Sequence, residues 1–447
     1  MTRRVFLLAL GLLLVPWAAA RAAVFSPACF TLANGLTLIV VPNPMAPVVS
    51  QMVWYKAGAA DEAGGKSGLA HYLEHLMFRG TKTIPAGAFS KIIAAQGGED
   101  NAFTSYDYTA YFERVAADRL PMIMQMEADR MRFLSLDPKT SEAERQVVLG
   151  ERQERTDNSP QGLFLEKLRQ LLMPHHPYGR PVIGWERDID RLSLDDVRAF
   201  YDARYAPNNA IVVISGDVDV KRVVALAAAT YGRVPRRSGV VRTPMPSIEA
   251  PAQTSFRVDD SRVDQTEVLW SFLVPSYGTQ KKREAYAYEV LSEILDAGEV
   301  GLFYQDLVVD KKVANGVQIR YDPDARGPAM LAIAASLRDG VALDVLQKAL
   351  RGLITRLAAK GLASQQVEEA KHRLERQAIF VREGLMAPGY AFGAALTTGH
   401  AVADVEAWPE RIRAVTVDEV NAALRALASS SHQVMGVLAP KPEGDAS

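Results

Sequence analysis

The 447-residue sequence contains a single cysteine, Cys29, so no disulfide can form within one chain. It also lacks an excess of positive charge, with 51 lysines and arginines against 52 acidic residues. This balance argues against a nucleic-acid partner, because phosphate backbones attract strongly basic surfaces. After the first 23 residues, no apolar run is long enough to cross a membrane. The fold must therefore be held together by packing, in a mature protein with no stable membrane span.

What is present is ordinary globular composition, with 48% hydrophobic and 23% charged residues. Extensive disorder is excluded by this balance, because enough apolar surface is available for burial. The chain is too long for one compact core, so we expect at least two domains.

Residues 1–22 have the order of side chains that is typical of a secretory signal. Two arginines precede the apolar run 5–15, and small residues follow in "AAARAA". We expect cleavage after Ala20 or Ala22 and a periplasmic mature protein. An uncleaved membrane anchor is the alternative, although the run is short for a span of about 20 residues. The stretch "TRRVFL" also resembles a twin-arginine signal, which leaves the export route open.

Two distant segments resemble each other without a gap. They are "LSLDDVRAFYDARYAPNNAIVVISGDV" (192–218) and "VTVDEVNAALRALASSSHQVMGVLAPK" (415–441), each an amphipathic helix pattern followed by an apolar strand pattern. Their offset is 223 residues (415 minus 192), about half the chain. This spacing favours duplication of one α/β unit. The alternative is that any helix and strand pair looks much like another.

The fold class that these patterns predict is α+β: two homologous α/β units, each a largely antiparallel sheet with helices packed on one face. A segment rich in proline, serine and arginine separates the halves and reads as a linker. We therefore expect four segments: a signal peptide (1–22), an N-terminal domain (23–234), the linker (235–253) and a homologous C-terminal domain (254–447).

The stretch "GLAHYLEHLMFRGT" (68–81) places two histidines one helical turn apart. On a helical wheel His71, Glu74 and His75 share one face, while the leucines form a complete apolar face opposite. Two imidazoles one turn apart can reach one cation. The glutamate beside the second histidine makes this the inverted counterpart of the commoner zinc-protease helix. The alternative is an ordinary amphipathic helix with polar residues on its outer face.

Two histidines leave a metal site incomplete, and the stretch "TSEAERQVVLGERQERTDNSP" (140–160) offers carboxylates. Glu144 and Glu151 are seven residues apart, which places them on one face of a helix. Each has a simpler interpretation that the spacing leaves open. Glu144 could complete a capping box with Ser141, and Glu151 could be a solvated surface residue.

Several blocks of the N-terminal half, taken in order, resemble the pitrilysin/insulinase family of zinc metallopeptidases, the inverzincins. The blocks are "GLAHYLEHLMFRGT", "GGEDNAFTSYDYTAYF" (97–112), "ADRM" (128–131), "ERQVVLGERQERTDN" (144–158), "HPYGRPVIG" (176–184) and "YAPNNAIVVISGDV" (205–218). The resemblance implies one Zn²⁺ per chain, held by His71, His75 and Glu151. It also implies that Glu74 is the catalytic base and that Glu144 supports the ligands from outside the coordination sphere.

The same resemblance implies an endopeptidase that cleaves peptides or unfolded segments. Family members hold the peptide substrate by adding it as a strand to a sheet edge near the "NAFTS" block, and main-chain pairing of this kind tolerates many sequences. Asn101, Ala102 and Phe103 are the expected substrate-binding residues.

The C-terminal half departs from the family pattern. Self-sufficient relatives carry a stretch like L-R-E-K-x-G-L-A-Y, whose arginine and tyrosine help to stabilise the tetrahedral intermediate. The matching stretch here is "LVVDKKVANGV" (307–317), with Val308 and Asn315 at those two positions. We therefore expect a heterodimer in which a homologous subunit supplies the missing pair, as in the mitochondrial processing peptidase; a homodimer is also possible. The alternative is a non-catalytic, core-protein-like subunit, although such relatives typically lose the metal residues.

Overall fold

The computed structural model describes residues 24–248 and 253–441, so the predicted signal peptide lies outside the described residues. Within the described ranges, eleven strands form two sheets. The strands are β1 (Ala28–Thr31), β2 (Thr37–Pro42), β3 (Val48–Tyr55), β4 (Glu99–Thr104), β5 (Thr109–Ala116), β6 (Ala210–Gly216), β7 (Thr254–Asp260), β8 (Glu267–Val274), β9 (Ala314–Tyr321), β10 (Ala329–Leu337) and β11 (Gln433–Pro440).

Helices connect and cover these strands. They are α1 (Leu69–Leu76), α2 (Ala88–Ala95), α3 (Leu120–Phe133), α4 (Pro138–Arg152), α5 (Pro160–Leu172), α6 (Glu186–Ile189), α7 (Leu194–Arg204), α8 (Val220–Ala229), α9 (Lys282–Leu295), α10 (Leu302–Tyr304), α11 (Leu343–Lys360), α12 (Ser364–Arg382), α13 (Ala387–Thr397), α14 (Val402–Glu406), α15 (Trp408–Arg413) and α16 (Val417–Ala428). None of the helices in the described ranges is long and apolar enough to cross a membrane.

The two sheets share one topology. The first has the order β1-β2-β6-β3-β5-β4 and the second the order β7-β11-β8-β10-β9. In each, the last strand of the unit is inserted between the first long strand, to which it is parallel, and the next strand, to which it is antiparallel. All other pairings are antiparallel. This confirms the prediction of two homologous α/β units built on largely antiparallel sheets.

The predicted repeat falls on equivalent elements of the two units, α7 with β6 and α16 with β11. Ser193 and Asp196 form a capping box at the start of α7. Thr416 and Glu419 do the same at the start of α16. The Ser/Thr and acidic residues that the two segments share therefore start both helices, and they do so with the same capping-box hydrogen bonds.

One face of the first sheet carries a core formed with α1, α3, α7 and α8. The apolar face that the helical wheel assigns to α1 is buried in this core: Leu69, Leu73, Leu76 and, just after the helix, Met77. The second sheet has an equivalent core with α9, α11 and α16. Each unit thus buries its own helices on one face of its sheet, as the fold class predicts.

The other face of the first sheet is covered by α13, a helix from the second half of the chain. Gly389 and Gly393, one turn apart on α13, allow this close approach. A Cβ atom would lie 2.2 Å from Met52 Sδ at the first glycine and 2.0 Å from the Trp54 ring at the second. Side chains at these two positions would push the helix off the sheet.

A buried ion-pair network also joins the halves. Asp61, in the first half, bonds with Arg242 Nη2 at 2.9 Å and with Arg326 Nη1 at 3.4 Å. Asp107 accepts the Arg326 backbone N–H at 3.1 Å and the Tyr178 hydroxyl. Arg242 lies in the segment predicted as a linker, whose described part (235–248) contains no helix or strand. These contacts fix the second half against the first.

Candidate metal centre

The helix that carries both histidines starts at a glycine. Gly68 has φ of 89°, in the left-handed region that favours glycine, and a Cβ there would lie 2.5 Å from Ile183 O. Since Gly68 has no side chain to cap α1, the Glu62 carboxylate does so from outside the helix. It accepts the N–H groups of Gly68 at 3.2 Å and Ala70 at 2.8 Å. Burial raises the pKa of Glu62 to about 8.

The second helix of the site, α4, starts earlier than the capping-box interpretation requires. Its N-cap is Asp137, whose carboxylate accepts the Thr140 N–H at 2.8 Å. Ser141 is buried within the first turn, and its carbonyl oxygen accepts the Tyr72 hydroxyl of α1 at 2.5 Å. The capping-box alternative for Glu144 is therefore wrong, because Glu144 lies a full turn inside the helix.

Three side chains converge between α1 and α4. Glu151 Oε2 lies 3.2 Å from His75 Nε2 and 3.7 Å from His71 Nε2. One atom from each residue falls within 4.8 Å of the other two, and no other group of His, Cys, Asp or Glu in the described ranges does this. Two imidazoles and a carboxylate are suitable Zn²⁺ ligands, and a catalytic zinc keeps a fourth position for water. The donor set therefore fits a zinc ion.

Glu144 contacts the ring of His75 on the side away from this convergence. Its Oε1 lies 2.9 Å from His75 Nδ1, and its other oxygen pairs with Arg79. Burial by itself would raise the pKa of Glu144, but the hydrogen bonds with His75 and Arg79 outweigh it and hold the pKa below its usual range. An ionised carboxylate at Nδ1 keeps that nitrogen protonated and leaves Nε2 free to bind a metal.

The two histidines have different electrostatic surroundings. Burial and the neighbouring His75 lower the pKa of His71 to about 4. Burial also lowers the pKa of His75, but Glu144 and Glu151 more than reverse the effect and raise it to about 9. The second oxygen of Glu151, Oε1, is paired with Arg155 at 2.6 Å, so its Oε2 is the oxygen that faces the histidines.

Glu74 lies beside the convergence and is 9% exposed. Its Oε2 accepts the Thr104 hydroxyl at 2.5 Å, and no described residue donates to its Oε1. Burial raises the pKa of Glu74, and the hydrogen bond from Thr104 opposes that shift. A carboxylate with a raised pKa and one free oxygen is suited to accept a proton.

The predicted substrate-binding residues lie on β4, an edge strand that pairs only with β5 in the described sheet. Asn101 is exposed, and its side-chain oxygen accepts the N–H of Ala102 at 2.8 Å. The ring of Phe103 lies on the face away from α1, stacked on Tyr390 of α13 at 5.7 Å. The free main-chain edge of β4 is thus available, while Phe103 is occupied by contacts within the chain.

Sequence reasoning missed Thr104, the next residue of this strand. Side chains alternate between the two faces of a strand, so Thr104 shares the α1 face with Ala102. Because alternate residues of a strand share one face, the position two residues after Ala102 predicts that the Thr104 hydroxyl lies on the side of the histidine helix. The hydroxyl contacts the glutamate that the sequence predicts to be the base.

In the second half, Val308 and Asn315 stand where the family pattern has an arginine and a tyrosine, and they lie on two different elements. Val308 is in the π-helical turn Gln305–Asp310, and the exposed Asn315 side chain on β9 donates to Leu337 O at 3.5 Å. Further along β9, the Tyr321 hydroxyl donates to Pro275 O at 2.7 Å. Arg320 is exposed and lines a cavity of about 1150 Å³ between the halves. The Tyr321 hydroxyl is therefore engaged elsewhere, and the Arg320 guanidinium donates from Nε to Gln318 Oε1 at 3.2 Å within the same strand.

Comparisons with known proteins agree with this architecture. The family model described as Insulinase (Peptidase family M16) matches residues 38–185, and the model described as Peptidase M16 inactive domain matches residues 191–374. The chain is 32% identical over 355 residues to the zinc protease PqqE of Helicobacter pylori, a match that covers 78% of each protein.

Solved structures share the whole fold. A protease from Helicobacter pylori matches with a TM-score of 0.84 and 26% identity, over 93% of this chain and 99% of that one. The first half of the periplasmic protease PqqL from Escherichia coli matches with a TM-score of 0.76 and 19% identity, over 92% of each chain. The chain described above therefore belongs to the peptidase M16 (insulinase) family.

Proposed function

We propose that the chain is an exported zinc-dependent endopeptidase that cleaves peptides or unfolded segments. The observation that carries this proposal is the convergence of His71, His75 and Glu151 with Glu74 beside them. Membership of the M16 family and similarity to a protein named a zinc protease support it.

In this proposal His71, His75 and Glu151 hold one zinc ion. When bound, zinc lowers the pKa of its water towards about 7 and polarises the carbonyl that is attacked. Glu74 receives the proton of the water at Oε1 and passes it to the leaving amine. Thr104 holds Oε2 of the same carboxylate, and Glu144 keeps the His75 ring in orientation through Nδ1.

The substrate would pair with the open edge of β4, at Asn101, Ala102 and Phe103. The main-chain groups on this edge are not used by another strand of the described sheet. A peptide that extends the sheet places its backbone beside α1, which β4 contacts through Thr104 and Glu74. Selection by main-chain pairing favours unfolded segments, since a folded substrate has no free strand to offer.

Metal analysis together with cleavage of a quenched peptide tests the enzyme proposal. We expect one zinc per chain, and we expect Glu74→Gln to keep the zinc while activity falls by at least about a hundredfold. Glu142→Gln, an exposed glutamate on α4, is the matched control and should change neither. A chain that binds no zinc and cleaves no peptide would overturn the proposal in favour of a non-catalytic subunit, and a Glu74→Gln variant with full activity would reject Glu74 as the base.

We also propose that the active form is a heterodimer with a homologous subunit. The support is the presence of Val308 and Asn315 where self-sufficient relatives carry arginine and tyrosine. Loss of one oxyanion donor typically costs on the order of a hundredfold in rate. The chain should therefore be much more active with a co-encoded homologue than alone, and equal activity in the two samples would reject the idea.

Arg320 provides the matched control for this experiment. It is an arginine of the second half that borders the cavity between the halves. If a partner supplies the cation, Arg320→Gln should leave the activity of the mixed sample unchanged. If a homodimer or the single chain is active and loses that activity in Arg320→Gln, this chain supplies its own arginine.

The proposed segments are a signal peptide (1–22), a zinc-binding domain (23–234), a linker (235–253) and a second domain (254–447). A periplasmic location follows from the signal pattern, and one structural neighbour is described as periplasmic. N-terminal sequencing of the protein recovered from the periplasm should begin at Arg21 or Ala23. Recovery only from the cytoplasm with residue 1 intact would contradict export.

A further inference from the structure

A cavity of about 280 Å³ lies in the second half of the chain, bordered by α9, by α12–α15 and by Phe25 from the first half. It contains none of the metal-centre residues. Its walls are largely apolar and include the four aromatic rings of Phe25, Tyr277, Tyr286 and Trp408. A concave site with an apolar lining and a few polar groups is the usual form of a small-molecule site.

Two carboxylates on this wall have no cation to balance them. Glu289 accepts hydrogen bonds from Trp408 Nε1 at 3.2 Å and from the Tyr277 hydroxyl. Among the residues that the structure describes, no lysine or arginine forms an ion pair with Glu289 or Asp324. Burial raises the pKa of each to about 7, and the nearby carboxylates of Asp322 and Glu289 add to the shift at Asp324.

The cavity also holds an imidazole with an unsatisfied nitrogen. The His400 side chain is 5% exposed, and its Nε2 has no hydrogen-bond partner in the described part of the chain. Its Nδ1 is 3.9 Å from Asp404, too far for a hydrogen bond. Asp404 itself is satisfied by Lys282 and Arg411. A buried polar atom without a partner is costly, so a ligand that forms a hydrogen bond with His400 Nε2 would be stabilised in this cavity.

A metal ion does not fit these groups. In the described ranges, only the α1 and α4 site brings three ligand atoms within 4.8 Å, and Glu289, Asp324 and His400 do not form such a group. A larger cation with an apolar body matches the lining better, since aromatic faces attract cations as well as apolar groups. We propose that this cavity binds a small organic ammonium ion, with its charge at Glu289 and Asp324 and its apolar part against the aromatic rings.

Calorimetric titration of the zinc-loaded full chain tests this with two probes of one shape. Benzylamine carries the charge, and benzyl alcohol does not. We expect benzylamine to bind at least about tenfold more tightly, and Glu289→Gln to remove most of that difference. Asp344→Asn, which removes an exposed carboxylate from α11, should leave it unchanged. Equal affinity for the two probes, or no saturable binding, would overturn the proposal.

Replacement of the half-buried Glu289 can unfold its domain, so a second measurement uses the parent protein. The indole N–H resonance of Trp408, assigned by its loss in Trp408→Phe, should shift on addition of benzylamine. An unmoved resonance at saturating benzylamine would place the amine elsewhere and reject the site. Both measurements report binding and not hydrolysis, so their outcome does not depend on the proposed peptidase function.

Discussion

The hydroxyl of Thr104 donates a 2.5 Å hydrogen bond to the carboxylate of Glu74, and this joins the open edge strand to the histidine helix. A peptide that pairs with β4 is therefore held by the same strand that orients the proposed base. The relation depends on a main-chain register, because Thr104 pairs with Thr109 at the end of the β4–β5 ladder. Substrate strand and base are positioned as one unit.

Thr104→Val should lower turnover by about ten- to a hundredfold, since hydrogen bonds to charged groups contribute about 1.5–3 kcal/mol. Zinc content should stay the same, because Thr104 does not contact His71, His75 or Glu151. Thr104→Ser keeps the hydroxyl and should retain most of the activity. The measurement is kcat for a quenched peptide beside metal analysis, and full activity in the valine variant would contradict the role.

Glu144→Gln should weaken zinc binding by about ten- to a hundredfold, because it replaces the anion that holds the His75 ring. The neighbouring Arg79 would also lose its carboxylate partner. Competition with a chelator of known affinity measures the effect. Glu142 is exposed on the same helix, so Glu142→Gln should bind zinc like the parent. If Glu142→Gln lost as much zinc affinity as Glu144→Gln, the effect would come from the helix and not from Glu144.

Much of the fold follows from the sequence because its patterns are local. The helix of His71 and His75 follows from period 3.6, and the strands β2 and β3 follow from short apolar runs bounded by glycine, proline and asparagine. The repeat of α7–β6 and α16–β11 also predicts two equivalent sheets. These features depend on neighbours in sequence, which a single sequence contains.

The rest depends on contacts between distant segments. Glycines four apart do not reveal that α13 crosses to the first sheet, since the partner Trp54 is more than 300 residues away in sequence. The sequence left the start of α4 open because Ser141 and Glu144 also fit a capping box, whereas the helix begins at Pro138 with Asp137 as its N-cap. The positions of Glu289 without a cation and of His400 Nε2 without a hydrogen-bond partner, among the residues that the structure describes, depend on helices distant in sequence.

Arg130→Met should lower the free energy of unfolding by about 3–5 kcal/mol, because it leaves buried acids without a counter-ion. The Arg130 side chain is 1% exposed, pairs with Glu127 and lies 3.6 Å from Glu113. Its guanidinium also stacks on Tyr111 at 4.4 Å. The urea midpoint measures the loss, and the exposed Arg132→Met on the same helix should shift it little.

Gly393→Ala should destabilise the contact between α13 and the first sheet by about 1–3 kcal/mol, because the methyl group would overlap the Trp54 ring. Tryptophan emission should move to longer wavelength as water reaches the ring. Gly150→Ala is the matched control: nothing lies within 4 Å of its added Cβ, and alanine in a helix should add about 0.5–1 kcal/mol. If Gly393→Ala leaves the urea midpoint of unfolding unchanged, α13 does not pack against the Trp54 face of the first sheet in solution.

Glu289 should make the protein less stable as the pH rises through the neutral range. Burial raises its pKa from 4.5 to about 7, so between these values the folded state keeps a proton that the unfolded state has lost. Stability falls with pH wherever the folded state binds more protons. The resulting loss in the free energy of unfolding is absent below pH 4.5, the pKa of Glu289 in the unfolded chain. It reaches at most about 3 kcal/mol above pH 7.

Glu289→Gln removes this charge but keeps an oxygen that can accept from Tyr277 and Trp408. The urea midpoint of the variant should therefore fall less between pH 5 and pH 8 than that of the parent. Glu284→Gln, an exposed glutamate on the same helix, should follow the parent at both values. If the variant and parent lose the same stability over this range, Glu289 is ionised in the folded protein and a counter-ion must already lie in the cavity.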